Sequence, residues 1–152
     1  MSSEWAWKVL KRAPYVTVSM TDTDGTPYAV PLSLACVGDV LYFHCATEGR
    51  KLDILRRSPH VCLSAVSKCR PVMEVLKSNF TLEYECAIAM GVASIVEDDA
   101  EKIAGLRAIC ERFLPQHMNA FNTAVARSLS RTTVVRIRLT APPTGKCNKA
   151  GN

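Results

Sequence analysis

The residues best placed to do chemistry lie between Tyr28 and Lys51, in the stretch YAVPLSLACVGDVLYFHCATEGRK. An apolar strand-like run ends at Tyr42-Phe43-His44-Cys45, a small loop with Gly49 follows, and Arg50-Lys51 open a short helix. The first N–H groups of a helix have no partner inside it, so two cations beside them make a ready phosphate site. Arg grips phosphate with a planar fork, while Lys acts as a point charge. A solvated helix end accounts for the same residues equally well when they are taken alone. No Gly-rich dinucleotide fingerprint or P-loop is present, which disfavours a dinucleotide on a doubly wound sheet. A mononucleotide phosphate held by strand edges and one helix start stays open.

Other reactive residues point to less. Seven cysteines cannot all pair internally. Several sit in apolar runs, such as Leu34-Ala35-Cys36-Val37 and Val61-Cys62-Leu63, where a thiol behaves as a small hydrophobe. Core packing is also the favoured role for Cys36 and Cys45. No Cys-x-x-Cys pair occurs and His44, His60 and His117 are scattered, so no metal site is expected. Unpaired thiols favour a reducing, cytoplasmic setting.

The elements that must position these residues come from a chain of 152 residues, about one domain. At 48% hydrophobic and 22% charged it is neither a disordered tail nor a coiled coil. No apolar run of about 20 residues exists to span a membrane, and Met1-Ser2-Ser3-Glu4-Trp5 is not expected to be a secretory leader. The net charge is 19 − 14 = +5. Six bases and no acid follow from Arg127 to the end, and Arg50, Lys51, Arg56 and Arg57 form a second group around Asp53. Such groups suit an anionic ligand or a solvated face. Nucleic acid is disfavoured, because no aromatic-plus-basic signature or zinc-finger spacing appears.

A helix capped by Ser3 is predicted through Arg12, stopped by Pro14, with Trp5 and Trp7 as packing anchors. Val16, Val18 and Met20 alternate with Thr17 and Ser19 as a strand. A second strand runs from Thr26 to Val37, and Pro27 and Pro31 consign it to an edge or a bulge. Strands follow at 40–45 and 60–67, with a helix at 50–57 between them. Residues 68–78 have no assignment. A β-rich run at 80–96 bends or bulges at Gly91. Asp98-x-x-Glu101 starts a helix with the stripe Ile103, Leu106, Cys110 and Phe113, stopped by Pro115. A second helical stretch covers 118–128, and a last strand at 132–140 turns Arg136 and Arg138 away from Val135, Ile137 and Leu139. The expected fold is mainly β (α+β), a mostly antiparallel barrel with flanking helices in one domain over 1–140 and a loose tail over 141–152.

Several of these pieces, in order, resemble the flavin-binding core of the pyridoxamine 5′-phosphate oxidase-like superfamily of split barrels, closest to its nitroimidazole-reductase branch. They are DGTPYAVPLS at 24–33, DVLYFHCA at 39–46, EGRKLD at 48–53, SPHVC at 58–62, GVASIVED at 91–98 and TGK at 144–146. The likeness is good over 14–110 and loose elsewhere.

The resemblance implies a six-stranded antiparallel split β-barrel and a homodimer with FMN in the clefts between subunits. Carried over by position, Tyr28, Ala29, Val30, Pro31, Leu32 and Ser33 line the isoalloxazine edge. Phe43 and His44 sit at the flavin, and Gly49, Arg50 and Lys51 hold the phosphate. Cys86 falls where oxidases of the superfamily commonly place a flavin-contacting Gln, a departure from that pattern. His44 titrates near neutrality and is the candidate proton donor to a reduced substrate. The implied activity is electron transfer from a donor such as NAD(P)H to a small acceptor, for example a nitroaromatic. Alternatives are a flavin or haem binding or storage module without turnover, and a deazaflavin-dependent reductase. Pyridoxamine phosphate oxidation itself is disfavoured, since the C-terminal segment lacks the aromatic and arginine residues of those enzymes. Arg136 and Arg138 either reach an anion across the dimer or face solvent.

Overall fold

The computed structural model describes residues 1–74 and 79–148. Helix α1 (Ser3–Arg12) is capped by Ser2 rather than Ser3, its Oγ accepting from the Trp5 N–H at 3.2 Å. Glu4 in the first turn and Lys11 and Arg12 in the last suit the helix dipole. The sheet contains β1 (Val16–Thr21), β2 (Pro27–Leu32), β3 (Ala35–Val37), β4 (Val40–Cys45), β5 (His60–Glu74), β6 (Asn79–Ile95), β7 (Thr133–Leu139) and β8 (Thr144–Asn148). Between them lie α2 (Arg50–Arg57), α3 (Asp99–Phe113), a 3-10 helix (Pro115–Ala120), α4 (Phe121–Ser128) and a last 3-10 turn (Leu129–Arg131).

Every pairing is antiparallel, in the order β2-β1-β5-β6-β7-β4-β3 with β8 on β6. Among the described residues the ends of that path, β2 and β3, do not pair, so the barrel is split there, and the sheet has eight strands, not the six expected. Two extra strands arise because the run at 26–37 divides at Ser33-Leu34 and because residues 144–148 are not loose. Those residues pair with Tyr84 to Ile88 along the edge of β6 that β7 leaves free, and α1 packs across them with Trp5 over Gly145. Residues 149–152 of the expected tail lie outside the described residues. So do 75–78 of the unassigned stretch, whose earlier part extends β5.

Both prolines of β2 fall on an edge strand, as their missing N–H groups require. The bulge sits in β5 between Val66 and Lys68, not at Gly91. Gly91 answers a different need. A Cβ there would lie 2.7 Å from Ile137 Cγ2 and 2.8 Å from the Arg138 carbonyl oxygen.

Two cores result. Val16, Val18, Leu41, Phe43, Leu63 and Ile137 fill the barrel interior, closed by α1 and by Leu52, Ile54 and Leu55 of α2. Val40 and Tyr42, on the other face of β4, pack with Leu106, Ile109 and Phe121 of the helical layer. The capping of α3 by Asp98, through the Glu101 N–H at 2.7 Å, matches the expectation from the sequence. Arg136 is half-buried and engaged within the chain. Its guanidinium takes both Glu101 oxygens, at 2.9 and 2.7 Å, and Ser94 Oγ at 2.9 Å, while the Tyr42 hydroxyl donates to the same carboxylate at 3.0 Å.

Because the Gly91 obstruction includes backbone, Gly91→Ala must move β7 away from β6. We expect a loss of about 1–3 kcal/mol in denaturant unfolding, the usual cost of overpacking. An unchanged midpoint would show that the two strands do not approach as described.

Candidate functional site

The site is built where β4 runs out of core. Leu41 and Phe43 point into the barrel, Val40 and Tyr42 into the helical layer, and His44 is the first exposed residue of the strand. Five residues later Gly49 turns the chain into α2 with φ at 125°, a value that a side chain would resist. Gly49 brings no capping side chain, so the first N–H groups of α2 face outward uncapped.

Arg50 and Lys51 stand beside them. The Arg50 guanidinium lies 5.2 Å from the Tyr28 ring centroid, and Lys51 Nζ lies 5.8 Å from that of Phe43. The other two cations of the helix are spoken for, Arg56 by Asp53 at 3.3 Å and Arg57 by Asp22 at 3.1 Å. Among the described residues neither Arg50 nor Lys51 has an acid within ion-pair distance. The acid nearest in effect is Asp24, whose carboxylate accepts from the Thr26 N–H at 2.9 Å. That bond and the Thr26 side chain hold its pKa below the ordinary value, with Arg50 a smaller cause.

The structure thus brings together Tyr28, Phe43, His44, Gly49, Arg50 and Lys51. Their availability differs. Phe43 is only 1% exposed, so its ring belongs to the core, and its backbone is laddered opposite Val135 of β7. Along β2, Tyr28, Val30 and Leu32 lean half-buried toward the barrel while Ala29, Pro31 and the following Ser33 are exposed. Among the described residues the outer edge of β2 has no strand partner, so its outward backbone groups could meet a planar ligand's edge.

Cys86 is not brought to this cluster within the chain. It pairs with Val66 and Lys146, and both β5 and β1 separate it from β2. It lies instead on the outer face of the sheet. That face carries Val66, Met73, Phe80, Leu82, Ile88 and Met90 exposed, with Phe80 at 78% and Met90 at 55%. Sequence reading missed this face. The signal was apolar residues at both parities of the 80–96 run, the mark of a strand meant to be covered twice.

Electrostatics separate the candidates. Burial pushes the Cys36 and Cys45 thiols up, against the smaller pull of nearby cations, so neither is poised as a thiolate. All seven cysteines are unpaired. Among the described residues no three potential metal ligands cluster, and no helix is long and apolar enough to cross a membrane. Partial burial, then the charge of Lys51, lower the pKa of His44 from 6.5. The neutral imidazole is therefore favoured, and any stability it contributes is complete above 6.5 and declines as pH falls below it.

Removing the Lys51 charge should raise the His44 pKa without restoring it fully, because burial remains. Proton NMR titration of Lys51→Met against wild type reads this directly. Identical His44 titrations would place Lys51 out of electrostatic reach.

The sequence matches the family described as pyridoxamine 5′-phosphate oxidase over residues 2–144. No curated protein matches it. Among solved structures it is similar to an FAD and haem binding protein from Mycobacterium smegmatis (TM-score 0.81, 24% identity, 98% of this chain and 72% of that one). The flavocytochrome Anf3 from Azotobacter vinelandii gives a TM-score of 0.80 at 20% identity, over 98% and 68% of the two chains. A putative 5-nitroimidazole antibiotic resistance protein from Bacteroides thetaiotaomicron gives 0.77 at 22% identity, over 95% and 82%. At these identities the solved structures speak for the fold. With a match across nearly its whole length, the chain belongs to the pyridoxamine 5′-phosphate oxidase family of split barrels.

Proposed function

We propose that the protein binds FMN and works as a flavin-dependent oxidoreductase on a small acceptor. The observation that carries this reading is the uncapped start of α2, where two unpaired cations converge with the free edge of β2. A phosphate there would accept from the Arg50 and Lys51 amides and side chains, charge-assisted bonds of the stronger kind. The backbone of residues 28–33 would run along the ring edge. That the solved structures similar to it include flavin-binding proteins agrees with this assignment. When bound, FMN supplies electron transfer from a nicotinamide donor to the acceptor. His44 lies at the edge of the same site; a phosphate that offsets the Lys51 charge would favour its imidazolium, which would give a proton to the reduced acceptor and return to neutral imidazole.

The protein would act as a homodimer joined through the apolar outer face of the sheet, because a monomer rarely leaves so long an apolar strip exposed. A second copy there would cover Ile88 and Met90 and bring Cys86 to the interface side of the ligand. Seven unpaired thiols fit a reducing cytoplasm.

One preparation tests the reading. The purified or FMN-reconstituted protein should be yellow, scatter light as two chains per particle, and lose its flavin absorbance on anaerobic addition of NADPH. In Lys51→Ala, FMN affinity should weaken by about 1.5–3 kcal/mol, the range for a charge-assisted bond. Flavin that binds without being reduced would favour a binding or storage module. A colourless protein that refuses FMN would overturn the proposal.

A further inference from the structure

A cavity of about 290 Å³ opens beside His44 on the side away from the barrel, between α3, the 3-10 helix and α4. Its floor is apolar, with Leu106, Cys110, Phe121 and Val125, and its rim carries His44, His117 and Ala124. Leu106 and Phe121 are buried, and Arg107 stacks on the outer side of this layer with its guanidinium 4.3 Å from the Phe121 ring centroid. The hydroxyls at the far end already donate elsewhere, Ser128 to the Ala124 carbonyl and Thr132 to the Ser128 carbonyl, each at 2.9 Å. The imidazoles of His44 and His117 make no hydrogen bond among the described residues, and both line this apolar hollow, which His44 shares with the α2 site.

We propose that this cavity is the pocket for the second substrate, an uncharged aromatic molecule of one or two rings with a hydrogen-bond-accepting edge. Size supports the class. A dry cavity of about 150 Å³ already admits benzene, whereas drug-sized ligands need about 300 Å³ or more. The lining supplies apolar contact for the ring and two imidazole N–H groups for its polar edge, while offering no cation to an anionic group. His44 belongs to both sites, lying on β4 with the α2 start on one side and the cavity on the other. The assignment rests on the flavin reading for its role in turnover, though not for binding.

Nitrobenzene serves as the probe, titrated into the FMN-free protein and followed by methyl and imidazole NMR signals. Shifts should concentrate at Leu106, Val125, His44 and His117. Ala124 is exposed at the rim, so Ala124→Trp should cap the cavity without crowding the core, weakening nitrobenzene binding at least tenfold with FMN affinity unchanged. Ala120→Leu, a smaller obstruction at the same rim, should weaken it less. No shift at the cavity up to the probe's solubility, or shifts indifferent to both substitutions in folded protein, would overturn the proposal. A protein that binds nitrobenzene here but refuses FMN keeps the pocket and loses the flavin reading. One that binds FMN but not nitrobenzene loses the pocket alone.

Discussion

Burial on both faces of β4 is the constraint from which the rest follows. Val40 and Tyr42 enter one core while Leu41 and Phe43 enter the other. A slip of one residue would exchange every side chain between two differently shaped interiors, so the register of this strand has no near alternative. β7 holds one edge over six residue pairs, and β3 holds the other. Where the double burial ends, His44 meets solvent, and five residues further Gly49 leads into α2. The imidazole and the helix start are thereby fixed to one another by a short loop between two anchored elements. Leu52, Ile54 and Leu55 secure the helix from beneath.

That geometry couples two electrostatic events. Lys51 adds to the lowering of the His44 pKa because its charge is unopposed. An anion seated at the start of α2 would neutralise that charge, and the imidazole would then hold a proton more readily. If the proposed cofactor binds there, its binding and the readiness of His44 to give a proton would be linked through one lysine, without any change of shape. On the proposed reading the same side chain would serve as a phosphate contact and as a control on the neighbouring base. Glu101, Arg136, Tyr42 and Ser94 form a separate polar cluster whose groups satisfy one another. It braces α3 against β4 and β7, and so keeps the helical layer beside His44 in place.

The local signals in the chain were easy to read where one short-range effect dominates. The helix at 50–57, the edge character imposed by Pro27 and Pro31 and the cap at Asp98 each depend on a few neighbouring residues. Long-range effects were harder. Nothing near Thr144 shows that β6 outruns β7 and leaves an edge to fill, so residues 144–148 read as loose. Gly91 looked like a bend because close strand approach and a bulge both call for glycine, and only the Ile137 contact separates them. Arg136 looked free because its partner Glu101 lies 35 residues away and was already explained as part of a capping box. The cluster of Tyr28, His44, Arg50 and Lys51 was legible through family resemblance, whereas the cavity beside His44 needs the packing of three helical segments that periodicity does not specify.

The central claim is that the start of α2 is an anion seat shared with the edge of β2. Following backbone amide resonances during titration with FMN tests it most directly. The largest shifts are expected at Arg50 and Lys51, with a second group on β2 around Ala29, saturating together. Saturable binding that leaves the Arg50 and Lys51 amides unmoved would contradict it.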